Sequence, residues 1–378
     1  MVSQIGQNLV LSIANLRQAI LWSFILCICI GARAQSSAKD YIVAVRRTGI
    51  IEFIDSVSLA TIGSIDTNVA HGSTGLNGVS GNPDGRTIYI EGPIGTNSHE
   101  AHNCCWLYSI DIPTLRTRVV AGIWGTESRL HFVRTGASLM QPASDAAVNA
   151  TGLFAGDKWQ ASPDGLWWFG LRNGPAVDLF DVRQAKVTRS FAAPVLNESG
   201  FASGVWLRNQ FYIYASRNGT GRLWHVSPDN DELGEGVALP EVEQTSGCQT
   251  ERLINLATAG DRLVVYEIFG GKLDRRDRCD GIPGGAWVLD PDTSRIVLQI
   301  APHLHFWQLA PSRTGAELYG ITSLVPGTQS AAELVRVDAR TGRVLQLRPL
   351  ESDYWWLTVT ALQSIPSGDV SLTLPDNQ

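Results

Sequence analysis

A short turn recurs along this chain, and each copy is followed by an apolar strand. The turn reads Asn-Pro-Asp-Gly at residues 82–85 and Ser-Pro-Asp-Gly at residues 162–165. Proline presets φ for such a turn, while Asp and Gly tolerate the positive φ that closes it. Looser copies occur at 259–261, 311–315 and 366–368. Counting all five copies, the following strands are predicted at 87–90, 166–170, 262–268, 317–321 and 370–374.

A second repeated element is a strand that ends in Asp and enters a loose turn. An Asp side chain favours such a turn because it accepts hydrogen bonds from nearby backbone N–H groups. Predicted copies of this strand lie at 51–55, 106–111, 177–181, 286–290 and 334–338. Combined with the first element, they predict antiparallel four-stranded meanders that repeat along the chain.

The repeated meanders predict an all-β fold, specifically a β-propeller of four-stranded antiparallel blades. A single meander cannot bury both faces of its sheet, whereas sheets stacked around an axis bury both and leave only short protected edges. We predict seven blades, with six as the alternative. We also expect the N- and C-terminal strands to share one blade and so close the ring.

Several of these residues resemble a known repeat. Residues 83–85 with 87–90, followed by 107–111 and 118–120, resemble the YVTN-type repeat of quinoprotein amine dehydrogenase β-chain-like propellers. The resemblance spans about residues 41–376 and implies a propeller fold. Amine dehydrogenase-like propellers act as the large subunit around a separate quinone-bearing chain, so the resemblance implies an enzymatic alternative as well.

The first 34 residues are predicted to be a signal peptide. Arg17 precedes an apolar run from 19 to 30, and residues 32–34 give a small-x-small cleavage site. An uncleaved N-terminal anchor is the alternative. Cleavage would leave one domain over residues 35–378 and a secreted or periplasmic protein.

The charge of the chain excludes some partners. The formal net charge is −6, and residues 1–34 contain arginines but no acidic residue, so the mature chain is more acidic still. A nucleic-acid-binding protein normally carries a basic patch. We therefore expect no nucleic-acid partner, no membrane association after signal cleavage, and a protein or small-molecule ligand.

The predicted connections differ in length between the two ends of the blades. Short Asp-Gly and Asp turns lie at one end, and nearly all long segments lie at the other, where function is usually carried. This end is the predicted binding face. Its candidate residues are His71, His99, Glu100, His102, His303 and His305. For His303 and His305, which alternate at the start of a strand, the plainer interpretation is a packed or solvated pair.

Four cysteines follow the predicted signal peptide. Cys248 and Cys279 lie in two connections at the same end of one blade, so we expect a disulfide between them. The adjacent Cys104 and Cys105 are open to three interpretations: a vicinal disulfide, free thiols or metal ligands. His99, His102 and Cys104 have the donor types of a zinc or copper site, but their spacing matches no compact motif.

No catalytic signature is found in the sequence. It contains no Gly-x-Ser-x-Gly elbow, no phosphate-binding Gly-rich loop with Lys and no His-Glu-x-x-His motif. We therefore expect a non-catalytic scaffold with no firmly implied cofactor. The alternative is a propeller enzyme, either a quinoprotein-type dehydrogenase subunit or a metal-dependent lactonase or lyase. In the lactonase or lyase case, by resemblance, His71, His99, His303 or His305 would act at the channel mouth.

Overall fold

The structure is a computed structural model composed of strands and turns. It describes residues 39–46, 48–68, 76, 78–81, 85–93, 104–122, 134–135, 139–140, 158–161, 167–171, 176–181, 184, 186–192, 202–208, 210–217, 220–229, 233, 236–239, 253–268, 285–323, 332–350 and 354–374. These residues contain no helix, and therefore no helix that is long and apolar enough to cross a membrane.

Six sheets of four or five strands and one two-stranded sheet are formed by the described residues. Sheet 1 contains β1 (Lys39–Arg46), β2 (Ile50–Asp55), β3 (Thr61–Asp66), β26 (Tyr354–Leu362) and β27 (Gly368–Ser371). Sheet 2 contains β4 (Gly78–Gly81), β5 (Thr87–Pro93), β6 (Cys104–Asp111) and β7 (Arg116–Gly122). A two-stranded sheet of β8 (Arg134–Thr135) and β9 (Leu139–Met140) comes next.

The other four sheets each have four strands. Sheet 3 contains β10 (Lys158–Ala161), β11 (Trp167–Leu171), β12 (Ala176–Asp181) and β13 (Lys186–Ala192). Sheet 4 contains β14 (Ala202–Leu207), β15 (Gln210–Arg217), β16 (Thr220–Val226) and β17 (Val237–Ala238). Sheet 5 contains β18 (Leu253–Ala259), β19 (Arg262–Ile268), β20 (Ala286–Leu289) and β21 (Ile296–Ile300). Sheet 6 contains β22 (His305–Pro311), β23 (Glu317–Ser323), β24 (Ala332–Asp338) and β25 (Val344–Pro349).

Sheet 1 combines strands from both ends of the described chain. Its order is β26-β1-β2-β3-β27, so the first strand comes from the C-terminal part and the next three from the N-terminal part. The outermost strand, β27, runs parallel to β3, with Gly368 opposite Gly63. One sheet therefore joins segments about three hundred residues apart. The entropy cost of closing a loop rises only slowly with its length, so this long separation adds little to the cost.

The predicted Asp turns form by the expected chemistry. In sheet 1, Asp55 Oδ1 accepts hydrogen bonds from the backbone N–H groups of Val57 and Ser58, at 3.0 and 2.7 Å. Asp290 Oδ1 and Asp338 Oδ1 accept equivalent pairs of backbone bonds in sheets 5 and 6. The Asp side chain thus satisfies two N–H groups that the turn would otherwise leave unpaired.

The core is divided among the spaces between successive sheets. In β1, Ile42 belongs to the apolar cluster shared with sheet 6, and its neighbour Val43 belongs to the cluster shared with sheet 2. Val264 and Val265 of β19 divide in the same way between sheets 6 and 4. Because successive strand residues point to opposite faces, a continuous apolar run indicates a sheet that is buried on both sides.

Five apolar clusters join the sheets in the sequence 3–4–5–6–1–2. Successive meanders packed face to face, with both chain ends joined in one sheet, define a β-propeller fold. The prediction of an all-β propeller of antiparallel four-stranded units is confirmed at this level.

Polar side chains of sheet 6 clamp the β2–β3 turn of sheet 1. The Arg336 guanidinium donates from Nε to Glu317 Oε2 at 3.0 Å and from Nη1 to the Val57 carbonyl at 3.1 Å. The Tyr319 hydroxyl lies 2.6 Å from Glu317 Oε2 and 3.1 Å from the Ser56 carbonyl. These charge-assisted bonds fix the orientation of sheet 1 against its neighbour.

Two glycines at the contact between sheets 5 and 6 provide a matched test of packing. Both have positive φ, but a Cβ on Gly315 would lie 2.0 Å from the Gly260 nitrogen, whereas a Cβ on Gly260 would meet nothing closer than 3.9 Å. We expect Gly315→Ala to cost about 3 kcal/mol or more, and Gly260→Ala about 1 kcal/mol, of the free energy of unfolding. Urea denaturation of both variants measures this, and equal costs would contradict the contact.

The Arg336 clamp predicts a defined pH dependence. The Arg336 hydrogen bond holds the pKa of Glu317 below its usual value. Stability from this ionised carboxylate is present above the unfolded-state pKa and is lost as the pH falls through the lower folded-state pKa. Arg336→Met should lower the free energy of unfolding by about 2 kcal/mol at neutral pH. It should also make that free energy fall less steeply with decreasing pH below about pH 4.5. Chemical denaturation across pH measures both effects, with the exposed turn residue Arg340→Met as the control; an unchanged acid limb would contradict this account.

Candidate binding face

The short turns of neighbouring sheets meet at one end of the fold. The β14–β15 turn contacts the β18–β19 turn through Arg208 and Asp261, whose side chains are 3.6 Å apart. Gln363, just after β26, donates its backbone N–H to the Gly85 carbonyl in the turn before β5, at 2.8 Å. Together with the Gly260–Gly315 contact, these show that the same ends of successive sheets lie together. We call this the short-turn end.

The opposite end carries most of the long connections, and we call it the long-connection end. The strands that end or begin there flank six longer stretches, 67–77, 94–103, 193–201, 239–252, 269–285 and 324–331, most of whose residues lie outside the described ranges. One stretch departs from the predicted asymmetry, because β16 ends and β17 begins at the short-turn end with residues 227–236 between them. The first residues of β22 and β26 and the last residues of β1 and β23 also lie at the long-connection end.

Two of the predicted histidines lie at the long-connection end. His303 is exposed in the turn that precedes β22, and His305 is half-buried as the first residue of that strand. His305 is opposite Ser323 in the β22–β23 register. Burial lowers the pKa of His305 below its ordinary value, which favours a neutral imidazole at physiological pH. The two side chains thus have different environments, although their spacing predicted a common one.

Tyr354 and Arg46 of sheet 1 lie at the same level along the strands as His305 of sheet 6. Leu357 of β26 donates its backbone N–H to Gln308 Oε1 of β22 at 2.6 Å, which sets the level of the two neighbouring strands. Three residues earlier on each strand are His305 and Tyr354. The Arg46 guanidinium lies 5.6 Å from the centre of the Tyr354 ring, within cation–π range.

The Tyr354 hydroxyl is held by a carboxylate. Burial, followed by its hydrogen bond to Glu52, raises the pKa of Tyr354 above its ordinary value. Glu52 is buried, and its carboxylate also accepts from Thr61 Oγ1 at 2.9 Å and faces Arg46 at 3.6 Å. Tyr354 therefore remains a neutral hydroxyl group at physiological pH.

Two polar atoms at this end of sheet 6 have no hydrogen-bond partner. Thr322 Oγ1 is fully buried near the end of β23, and Glu333 Oε2 is buried near the start of β24. The two residues are directly opposite each other in the β23–β24 register. Cross-strand partners share a face of the sheet, with Cβ atoms about 5 Å apart. Unsatisfied buried polar atoms are unusual in folded proteins and call for an explanation.

The remaining candidate residues cannot be placed. His71, His99, Glu100, His102, Cys248 and Cys279 lie outside the described residues, so the predicted binding role and the Cys248–Cys279 disulfide remain predictions. The backbones of Cys104 and Cys105 are in strand β6, with Cys104 opposite Pro93. The strand predicted at 106–111 therefore begins two residues earlier in the structure, at Cys104.

The predicted metal ligands are equally unplaced. Within the described ranges, no group of three or more His, Cys, Asp or Glu residues is arranged to hold a metal ion. His99 and His102 lie outside those ranges, and for Cys104 only the backbone is described.

Thr322, Glu333 and Tyr354 were not among the sequence-predicted site residues. Each lies within two residues of a strand end at the long-connection end, but no local motif distinguishes it. Glu333 has one available signal: in Ala332–Asp338 it alternates with Val335 and Val337, so an acidic residue shares a strand face with two apolar ones. Its missing partner depends on the neighbouring sheet and cannot be read from β24 alone.

Comparison with known proteins gives matches in structure only. No protein-family model matches the chain, and no curated protein sequence does either. The chain is similar to a Bacteroides fragilis protein provisionally named a 6-phosphogluconolactonase, with 10% identity, a TM-score of 0.52, and coverage of 86% of this chain and 99% of that one. This likeness concerns the fold alone.

Two further solved structures show weaker similarity. The dihydro-heme d1 dehydrogenase NirN in complex with DHE has 12% identity and a TM-score of 0.49, with coverage of 83% of this chain and 74% of that chain. The Dos1 propeller has 13% identity and a TM-score of 0.39, with coverage of 73% and 62%. By its architecture this chain is a β-propeller protein, and its membership of the YVTN-type repeat family remains a prediction.

The half-buried His305 predicts a loss of stability on mild acidification. Its pKa is lower in the folded than in the unfolded protein, so the unfolded chain binds more protons as the pH falls below about 6.5. Stability is therefore fully present above that value and decreases as the pH falls towards the folded-state pKa. We expect His305→Asn to lose less stability than the wild type between about pH 7 and 5. Denaturation at several pH values measures this, and an identical pH slope in both proteins would refute it.

Proposed function

We propose that this protein is a secreted or periplasmic β-propeller that binds a protein partner or a small ligand at its long-connection end, without catalysis. In this proposal the ring has seven blades. Sheets 1 to 6 supply six of them, and the segment between β7 and β10, which contains β8 and β9, supplies the seventh. The N- and C-terminal strands of sheet 1 close the ring, and residues 1–34 are removed on export.

The observation that carries this proposal is the difference in connections between the two ends. At the short-turn end, turns of neighbouring sheets contact each other through the Arg208–Asp261 pair and the Gly260–Gly315 contact. At the long-connection end, strands that are held on both faces are separated along the chain by six long stretches of residues. Extended connections on a rigid scaffold are where proteins most often place binding residues.

The described residues at the long-connection end also suit recognition. His303 is exposed and His305 is half-buried at the start of β22, while Arg46 and the buried Tyr354 lie at the ends of neighbouring strands. Aromatic and arginine side chains are enriched in binding interfaces because they combine large contact area with directional polar groups. The provisional lactonase name of the Bacteroides protein adds no reaction, because likeness at 10% identity extends to fold alone.

Site-specific photocrosslinking in the native host tests the proposal. A photoreactive phenylalanine analogue is placed either at exposed position 303, at the long-connection end, or at exposed position 340, in the β24–β25 turn at the short-turn end. We expect a discrete crosslinked product from position 303 and none from position 340. Position 303 precedes β22 and position 340 follows β24, so both belong to sheet 6. The two labelled variants therefore differ mainly in which end of the fold carries the photoreactive group.

Two outcomes would contradict the proposal. Products of the same identity and yield from both positions would show that neither end is distinguished. A product from position 340 alone would assign the binding role to the short-turn end instead.

A further inference from the structure

The buried oxygen pair of Thr322 and Glu333 has a defined position within the fold. Thr322 is opposite both Phe306 of β22 and Glu333 of β24, so the three residues share one face of sheet 6. Phe306 and Val335, which is two residues beyond Glu333, belong to the apolar cluster shared with sheet 5. The pair therefore lies between sheets 5 and 6, where the core reaches the long-connection end.

Both atoms lack a hydrogen-bond partner. Glu333 Oε2 is a carboxylate oxygen, which only accepts hydrogen bonds, and Thr322 Oγ1 can accept or donate. Leaving a buried polar atom without a partner is costly, and more so for a charged group. Contrast Thr67, also buried, whose hydroxyl donates to the Gly49 carbonyl at 2.7 Å. The requirement at Glu333 is for a group that carries both N–H donors and positive charge.

We propose that Thr322 and Glu333 form a subsite for a guanidinium group, such as an arginine side chain of the bound partner. Three features favour guanidinium over other cations. Its several N–H donors diverge in one plane, so it can reach two acceptors on adjacent strands. It is weakly hydrated, which reduces the cost of entering a site beside Phe306. A calcium ion would need six to eight oxygen ligands, and in the described part of the chain no acidic or histidine cluster accompanies this pair.

This inference rests on the proposed function and gives its ligand a chemical class. The subsite lies one residue from the ends of β23 and β24 at the long-connection end, so a partner held there is within reach of it. Thr322 and Glu333 act as binding residues: the carboxylate supplies the counter-charge, and the hydroxyl supplies a second acceptor that sets the orientation of the guanidinium plane.

Thermal unfolding with a small probe tests the subsite on the full mature protein. The probe is N-acetyl-arginine amide, and its matched control is N-acetyl-citrulline amide, which keeps the shape but loses the charge. We expect the arginine probe, and not the citrulline probe, to raise the unfolding temperature in a saturable manner. In Glu333→Gln and in Thr322→Val, probe binding should weaken by at least about tenfold. Asp229→Asn, which removes an exposed carboxylate at the short-turn end, should leave it unchanged.

The same variants without probe give a second, independent measurement. Thr322→Val removes a hydroxyl that has no partner, so its unfolding temperature should stay equal to that of the wild type or rise by about 1 to 3 °C. Thr67→Val removes a satisfied hydroxyl and should lower the temperature instead. If Glu333→Gln does not fold, Thr322→Val still decides the question.

Several results would overturn the subsite. They are no saturable shift with the arginine probe, an equal shift with citrulline, a shift that survives in both variants, or destabilisation of probe-free Thr322→Val to the extent seen in Thr67→Val. Failure here with a positive crosslink from position 303 would leave the binding face intact and remove only its guanidinium chemistry. A positive probe result without that crosslink would retain the subsite and remove the partner at position 303.

Discussion

Burial of both faces of each meander is the constraint on which this structure depends. A four-stranded sheet with apolar residues at consecutive positions exposes one hydrophobic face unless a second sheet covers it. In β1, Ile42 faces sheet 6 while Val43 faces sheet 2, and the same division recurs in β19. No described sheet could bury this surface alone, so the stability of each sheet is inseparable from that of its neighbours.

The two ends of the fold follow from this packing. Once the sheets lie face to face, the turns at one end come close enough for the Gly260 and Gly315 backbones to meet, and a side chain on Gly315 has no room. Sheet 6 also clamps the β2–β3 turn through Arg336 and Glu317. At the Gly260–Gly315 contact, the packing of sheet 5 against sheet 6 therefore requires glycine at position 315.

Polar groups between the sheets illustrate two opposite outcomes of burial. Glu317 is neutralised by Arg336 and bonded by Tyr319, and it locks two sheets together. Glu333, on the adjacent strand β24, has a buried oxygen atom without a donor. Both are acidic residues in sheet 6, yet one completes a structural network and the other leaves hydrogen-bonding capacity that a ligand can use. The difference lies within sheet 6, because Arg336 of β24 reaches Glu317, whereas the residue opposite Glu333 is Thr322.

The amino-acid sequence determined the local architecture of this protein. Its Pro-Asp-Gly and Asp turns specified where strands begin and end, since Asp55, Asp290 and Asp338 satisfy the backbone of their own turns. The strand predicted at 262–268 occurs with those bounds, because strong turn signals and β-branched residues coincide there. Only the tertiary structure decided which polar groups are paired. Thr322 and Glu333 lie on the face of sheet 6 that packs against sheet 5, and no local pattern in β23 or β24 specifies what that packing brings near them.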